Sequence, residues 1–157
     1  MAKKILMVCL GNICRSPLAE GIMKKLCEEK KLNWQVDSAG TGGWHTGELP
    51  DRRSQAVALK NGLDIADQRA RQIKKSDFKH FDTIYALDKS VYNDLKRIAP
   101  DVTSAAKVHM LSENSARNKG EDIPDPYYNG LFDLVYEMVL ECCNEIINTH
   151  QASSRSK

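Results

Sequence analysis

Residues 4–9, KILMVC, are a nearly unbroken apolar run that ends at a cysteine, meets the stretch LGNICRSP and passes at once into helical periodicity. A strand that is apolar on both faces cannot lie in a sheet with one side open to water. It needs cover above and below, which is the condition of a parallel sheet flanked by helices. The later pattern agrees. Ser16-Pro17 reads as an N-cap followed by proline in the first turn, and Leu18, Ile22, Met23 and Leu26 recur at helical spacing to about Lys30. WQVDSA (34–39) reads as a second strand, GTGGWHTGELPD (40–51) as a glycine-rich loop, and 53–61 as a helix ended at Asn61-Gly62. There follow a short helical piece at 74–79, a strand at 82–87, a helix at 89–98 stopped before Pro100, and a strand at 107–111. A long polar loop over 112–130 and a helix over 131–149 complete the chain. Strands alternating with helices predict an α/β fold of three layers, a four-stranded parallel sheet with helices on both faces. No repeat or linker divides it, so 1–149 is expected to be a single domain and 150–157 a frayed polar tail.

At 157 residues the chain is long enough for one core without disulfides. A net charge of +2, with lysines and arginines spread along the chain, argues against a nucleic-acid partner. No apolar run is long enough to cross a bilayer, and the apolar opening is interrupted by Gly11, Asn12 and Arg15 with no small-residue cleavage site after it. A cytoplasmic protein that does not engage membranes is expected. The five cysteines, Cys9, Cys14, Cys27, Cys142 and Cys143, include no metal-knuckle spacing, and no paired histidine and carboxylate spacing occurs, so neither metal nor cofactor is expected. Cys27, Cys142 and Cys143 read as helix residues turned toward the core.

Cys9 stands at the carboxyl end of the first strand, where open α/β sheets place their ligands. Gly11 lets the following loop turn, and Asn12 is the non-glycine residue that best tolerates a left-handed φ. Successive N–H groups of such a loop, leading into a helix N-terminus, make a cradle for a tetrahedral anion. Arg15 adds a fork for two of the anion's oxygens. The same positive surroundings favour a thiolate at Cys9, and Ser16 is placed to donate a hydrogen bond to it. No G-x-x-x-x-G-K-[ST] loop is present, which disfavours nucleoside triphosphate chemistry. On these residues alone Cys9 is either a nucleophile over an anion site or one more small buried hydrophobe.

The stretch CLGNICRSP resembles the signature of the low-molecular-weight protein tyrosine phosphatases, a C-x5-R loop followed by serine. VDSAGT, ARQI and DPYYNG (125–130) are also similar to that family, and the likeness covers about residues 4–148. The resemblance implies a phosphatase-I, flavodoxin-like architecture and hydrolysis of phosphotyrosine in proteins through a cysteinyl-phosphate, without metal. It implies Cys9 as nucleophile. Arg15 and the loop Leu10, Gly11, Asn12, Ile13, Cys14 and Ser16 would hold phosphate or a similar oxyanion, and Asp125 would act as acid and then base. It further implies that Asn12 and Ser38 brace the loop, that Asp88 orients Arg15, and that Cys14 is a reversible disulfide partner of Cys9. Asp88 also reads as an N-cap, and Asp125 as a turn residue. Trp44, Tyr127 and Tyr128 flank the site on two loops, where their rings suit either a slot for a phosphotyrosine ring or a partner-binding surface.

One position departs from the pattern: many animal members carry a histidine before ARQI, where this chain has Gln68. The related arsenate reductases need redox cysteines mid-chain that are absent here. Protein-arginine phosphatases of the same family tend to have threonine in place of Ile13. A phosphocysteine carrier of the sugar phosphotransferase IIB type also places a cysteine after its first strand, but has no need of Arg15 or Asp125.

Overall fold

The structure is a computed structural model that describes residues 3–155. Among them, β1 (Lys4–Cys9), β2 (Gln35–Gly40), β3 (Thr83–Ala86) and β4 (Val108–Met110) form one all-parallel sheet in the order β2-β1-β3-β4. The first strand lies between β2 and β3, and both of its faces are buried. Ile5, Met7 and Cys9 enter one core with residues of α1 (Arg15–Glu29), α2 (Arg52–Lys60) and α7 (Phe132–Arg155). Leu6 and Val8 enter a second core with Phe78 of α3 (Asp77–His80) and with Val91 and Leu95 of α4 (Lys89–Ile98). The alternation of side chains along a strand thus divides KILMVC between two separate cores. Burying each such Leu, Ile or Met contributes roughly 1.5–3 kcal/mol.

From β1 the chain crosses through α1 to β2 on one side, and later returns to β3 on the other. The carboxyl ends of β1 and β3 therefore flank a topological switch point, which brings the loop after Cys9 beside the residues that follow Ala86.

Several local expectations are corrected. The first helix starts at Arg15 with Cys14 in the cap position and no side-chain cap, so Ser16 is not the N-cap; its hydroxyl is engaged elsewhere. A further short helix, α5 (Val102–Ala105), is capped by the Asp101 side chain. The polar stretch 112–130 shares a 3-10 turn, Leu111–Asn114, and contains α6 (Pro126–Asn129). The last helix does not stop near 149, and the tail through Arg155 is helical rather than frayed. Its distal turns are anchored: Ile147 is buried, and the His150 ring meets Trp34 edge-on at 4.9 Å. Residues 156 and 157 lie outside the described residues.

Candidate active site

The loop after β1 takes its shape from one residue with positive φ and one close backbone approach. Asn12 sits at φ 59°, the left-handed region that asparagine tolerates. Its side chain keeps it there: Nδ2 donates to Ser16 Oγ at 2.8 Å and to Ser38 Oγ at 3.0 Å, while Oδ1 accepts the Arg71 backbone N–H at 3.0 Å. Arg71, from the ARQI stretch, is itself fixed by ion pairs to Asp37 on β2 and Asp77 on α3. Gln68 does not take part in bracing Asn12; it donates to the Pro17 carbonyl.

Gly40, paired with Cys9 at the end of β2, lies against the same loop. A Cβ there would stand 2.8 Å from the Leu10 carbonyl oxygen and 3.1 Å from the Gly11 carbonyl carbon, both backbone atoms that cannot swing aside. Gly40→Ala is expected to destabilise the fold by about 1–3 kcal/mol and to cut activity more steeply than that loss of folded protein explains. Thermal melting and turnover of the same preparation check this.

Around Cys9 the donors converge. Ser16 Oγ lies 3.0 Å from the sulfur, and the Asn12 backbone N–H donates to it at 3.3 Å. Arg15, 3% exposed, reaches beneath the loop and donates from one nitrogen to Asp88 Oδ2 at 2.6 Å and to the Ile123 carbonyl at 3.0 Å. Burial works against its charge, but Cys9, Asp88 and Asp125 outweigh that and raise its pKa above the ordinary arginine value. Asp88 fills both roles open to it: while Oδ2 takes Arg15, Oδ1 accepts the Val91 N–H and caps α4.

Asp125 opens α6, its Oδ1 accepting the Tyr127 N–H at 3.1 Å and its Oδ2 lying 3.8 Å from Arg15. The turn reading and the site reading of Asp125 are therefore compatible. Arg53 clasps this loop from α2: it donates to the Tyr127 carbonyl and lies over the rings of Tyr127 (5.4 Å) and Phe132 (4.7 Å).

A cavity of about 270 Å³ opens above the sulfur. Cys9, Leu10, Gly11, Ile13, Cys14 and Arg15 line it on one side, with Trp44, Tyr127, Tyr128 and Asp125 around it. Tyr127 and Tyr128 meet edge-on at 5.2 Å, and Trp44 and Tyr128 are largely exposed. Ser38 and Asp88 are not in the lining and reach the site through Asn12 and Arg15. His45 is a lining residue that sequence reasoning passed over; its Nδ1 lies 2.8 Å from Glu48 Oε2. Its one signal was adjacency to Trp44. Glu20, buried on α1 and accepting the Ser38 hydroxyl at 2.6 Å, was missed too, because a glutamate in a helix ordinarily faces water.

The other thiols are withheld from ionisation. Burial, aided by Asp51, Cys9 and Asp125, pushes Cys14 to about 12, and burial pushes Cys27 to about 11 and Cys142 to about 12. Burial also raises Cys143, which is fully enclosed, well above the ordinary thiol value. All five cysteines are free. Among the described residues no cluster of His, Cys, Asp and Glu suits a metal ion, and no helix is long and apolar enough to cross a membrane. The arrangement presents a sulfur ringed by donors, a buried cation below it and a carboxylate at the rim. It suits in-line displacement at a tetrahedral anion.

Comparison with known proteins agrees with this geometry. Residues 4–155 match the family model described as low molecular weight phosphotyrosine protein phosphatase. The protein of that name from Homo sapiens is 41% identical over 150 residues, covering 92% of this chain and 94% of its own length. The crystal structure of a protein tyrosine phosphatase from Entamoeba histolytica, with Hepes in its active site, superposes with a TM-score of 0.90 at 35% identity, covering 97% of this chain and 99% of that one. A Drosophila arginine phosphatase superposes with a TM-score of 0.87, also at 35% identity, covering 94% and 97%.

Proposed function

This chain belongs to the low molecular weight phosphotyrosine protein phosphatase family, and we propose from that membership and the site's geometry that it hydrolyses phosphotyrosine monoesters in proteins through a cysteinyl-phosphate. The observation that carries the proposal is the single cavity in which Cys9, Arg15 and Asp125 meet beside the rings of Trp44, Tyr127 and Tyr128. The Cys9 sulfur attacks phosphorus opposite the phenolic oxygen. As the phosphorus–oxygen bond breaks, Asp125 gives that oxygen a proton and tyrosine leaves. Water then attacks the sulfur-bound phosphorus and gives a proton to the Asp125 carboxylate, the sulfur–phosphorus bond breaks, and inorganic phosphate departs. Arg15 and the loop 10–16 hold the equatorial oxygens, whose charge must be balanced in both transition states.

On this reading the rings of Trp44, Tyr127 and Tyr128, which line the cavity, wall a slot for the aryl group of a phosphotyrosine, in which phosphoserine falls short of Cys9. The reaction calls for no metal, since the buried guanidinium supplies the positive charge. Free cysteines throughout fit a reducing, cytoplasmic setting. When peroxide converts Cys9 to a sulfenic acid, the neighbouring Cys14 thiol condenses with it, releasing water and forming a reducible disulfide. One domain carries the whole reaction, because every participating residue comes from one sheet and its connecting segments.

The test is phosphate release, in the presence of a chelator, from phosphotyrosine, phosphoarginine and phosphoserine peptides side by side. Release confined to phosphotyrosine is expected. Preference for phosphoarginine would overturn the substrate assignment in favour of the chemistry named for the Drosophila neighbour, against the apolar Ile13 in the cavity wall. A stable phosphate left on Cys9 with none released would identify a carrier.

A further inference from the structure

Trp44 lines the cavity and is 69% exposed, so little protein covers its indole. A Cβ at Gly42 would overlap the six-membered half of that ring, with Cζ3, Cε3 and Cη2 as its nearest neighbours. The indole therefore occupies the space that a side chain at position 42 would fill. Among the described residues no other aromatic ring packs against it. An exposed ring without a ring partner takes its pose from the backbone on which it rests, and here that backbone is Gly42.

The seat under the ring is fastened on two sides. The Thr41 N–H donates to the Cys9 carbonyl at 3.0 Å, and the Gly42 N–H donates to the Leu10 carbonyl at 2.9 Å. From the stretch 71–73, Gln72 Nε2 donates to the Thr41 carbonyl at 3.1 Å. There Gly40 also donates its N–H to the Arg71 carbonyl and accepts the Ile73 N–H, both at 2.8 Å. A ring lying on residue 42 is thus held at a fixed offset from Cys9. The other rings of the cavity, Tyr127 and Tyr128, come from α6, a separate segment. The width of the slot is therefore the distance between two independently anchored walls, and Gly42 places one of them.

We propose that Gly42 is a positioning residue for substrate selection: having no side chain, it seats the Trp44 indole on backbone hydrogen-bonded to Cys9 and Leu10, and so sets the width of the slot that admits an aryl phosphate. The proposal deepens the reading of the site as a tyrosine phosphatase and rests on it. A wall placed before the substrate arrives need not be ordered by it, which favours binding. An indole pushed off its seat either leaves the aryl group without its wall or narrows the mouth, and both weaken aryl binding. Gly42 has no positive φ, so alanine suits its backbone. What must give way is an exposed ring on rotatable bonds, so Gly42→Ala is expected to fold and to move Trp44.

The test is a double-mutant cycle of Gly42→Ala and Trp44→Ala, read by hydrolysis of phenyl phosphate. Gly42→Ala is expected to raise KM about fivefold, the scale of one aromatic contact. Its kcat is expected to stay within about twofold, because Cys9, Arg15 and Asp125 are unaltered. Inhibition by inorganic phosphate, which reaches the cradle but not the rings, is expected to stay within about twofold as well. In the Trp44→Ala background the alanine at 42 is expected to change nothing further. An equal rise in KM in both backgrounds would assign the effect to the loop backbone and overturn the proposal. Acrylamide quenching adds a readout without turnover. The chain has two tryptophans and Trp34 is 8% exposed, so the quenchable emission is that of Trp44. Its quenching constant is expected to change in Gly42→Ala, and an unchanged constant overturns the proposal. If quenching changes while wild type releases phosphate from no ester, the seat stands and the phosphatase reading fails. If wild type hydrolyses phenyl phosphate and folded Gly42→Ala does so with the same KM, the phosphatase reading stands and the proposal fails. Should Gly42→Ala not fold, the double variant decides. Folding restored by removing the ring supports the seat, and a raised KM in Trp44→Ala then supports its role in selection, where an unchanged one overturns it. A double variant that also fails to fold overturns the proposal.

Discussion

Cys9→Ser is expected to lower kcat on phosphotyrosine peptides by about four orders of magnitude or more, because the proposed mechanism loses its nucleophile while the rest of the site is kept. The serine hydroxyl is a slightly smaller group in the same place, still within reach of Ser16 and the Asn12 N–H, so the loop has no reason to move. What disappears is a sulfur nucleophile; an alcohol in its place is a far weaker one at neutral pH. The same substitution leaves the cradle for the anion in place. Arg15 remains tied to Asp88 and to the Ile123 carbonyl, and the Asn12 braces do not involve the sulfur. Binding of inorganic phosphate, measured by calorimetry, is therefore expected to change by no more than about fivefold, since only one contact to the anion differs. A Cys9→Ser protein that still turned over would show that the sulfur is a bystander.

Asp125→Asn is expected to reduce kcat on phenyl phosphates by about two to three orders of magnitude, the size of a well-placed general acid. Asparagine is the appropriate replacement because it preserves the local fold. Its side-chain oxygen can accept the Tyr127 N–H as Asp125 does, and asparagine caps a helix as well as aspartate. Only the ionisable proton and the charge 3.8 Å from Arg15 are lost. The loss should shrink for phenols acidic enough to leave without a proton, and a leaving-group series measures this directly. A deficit that stayed constant across the series would assign Asp125 to loop structure alone.

Much of the architecture was legible from periodicity, because helices and strands announce themselves through neighbours three, four or two positions away. The elements that escaped were short. The Val102–Ala105 and Pro126–Asn129 helices have four residues each, too few for a hydrophobic stripe to repeat. The last turns of α7 escaped because polarity suggested a tail, whereas the contact between His150 and Trp34 ties them to the fold.

By itself the sequence determined that β1 would be covered on both faces, that a cysteine would stand at its end, and that an asparagine suited to a left-handed φ and an arginine would follow in the same loop. These features are set within a dozen consecutive residues, where covalent connection does the positioning. Tertiary structure alone decided which side chains would complete the site. Arg15 finds Asp88 across 73 residues and the Ile123 carbonyl across 108, and Asn12 finds Ser38 across 26 and the Arg71 amide across 59. Glu20 and Ser38 sit on different elements and meet only because α1 packs against the sheet beside β2. Such pairings follow from strand order and layer packing, which bring distant segments together at the carboxyl edge of the sheet. A local pattern cannot encode them, because the free energy that fixes them comes from burying both cores at once.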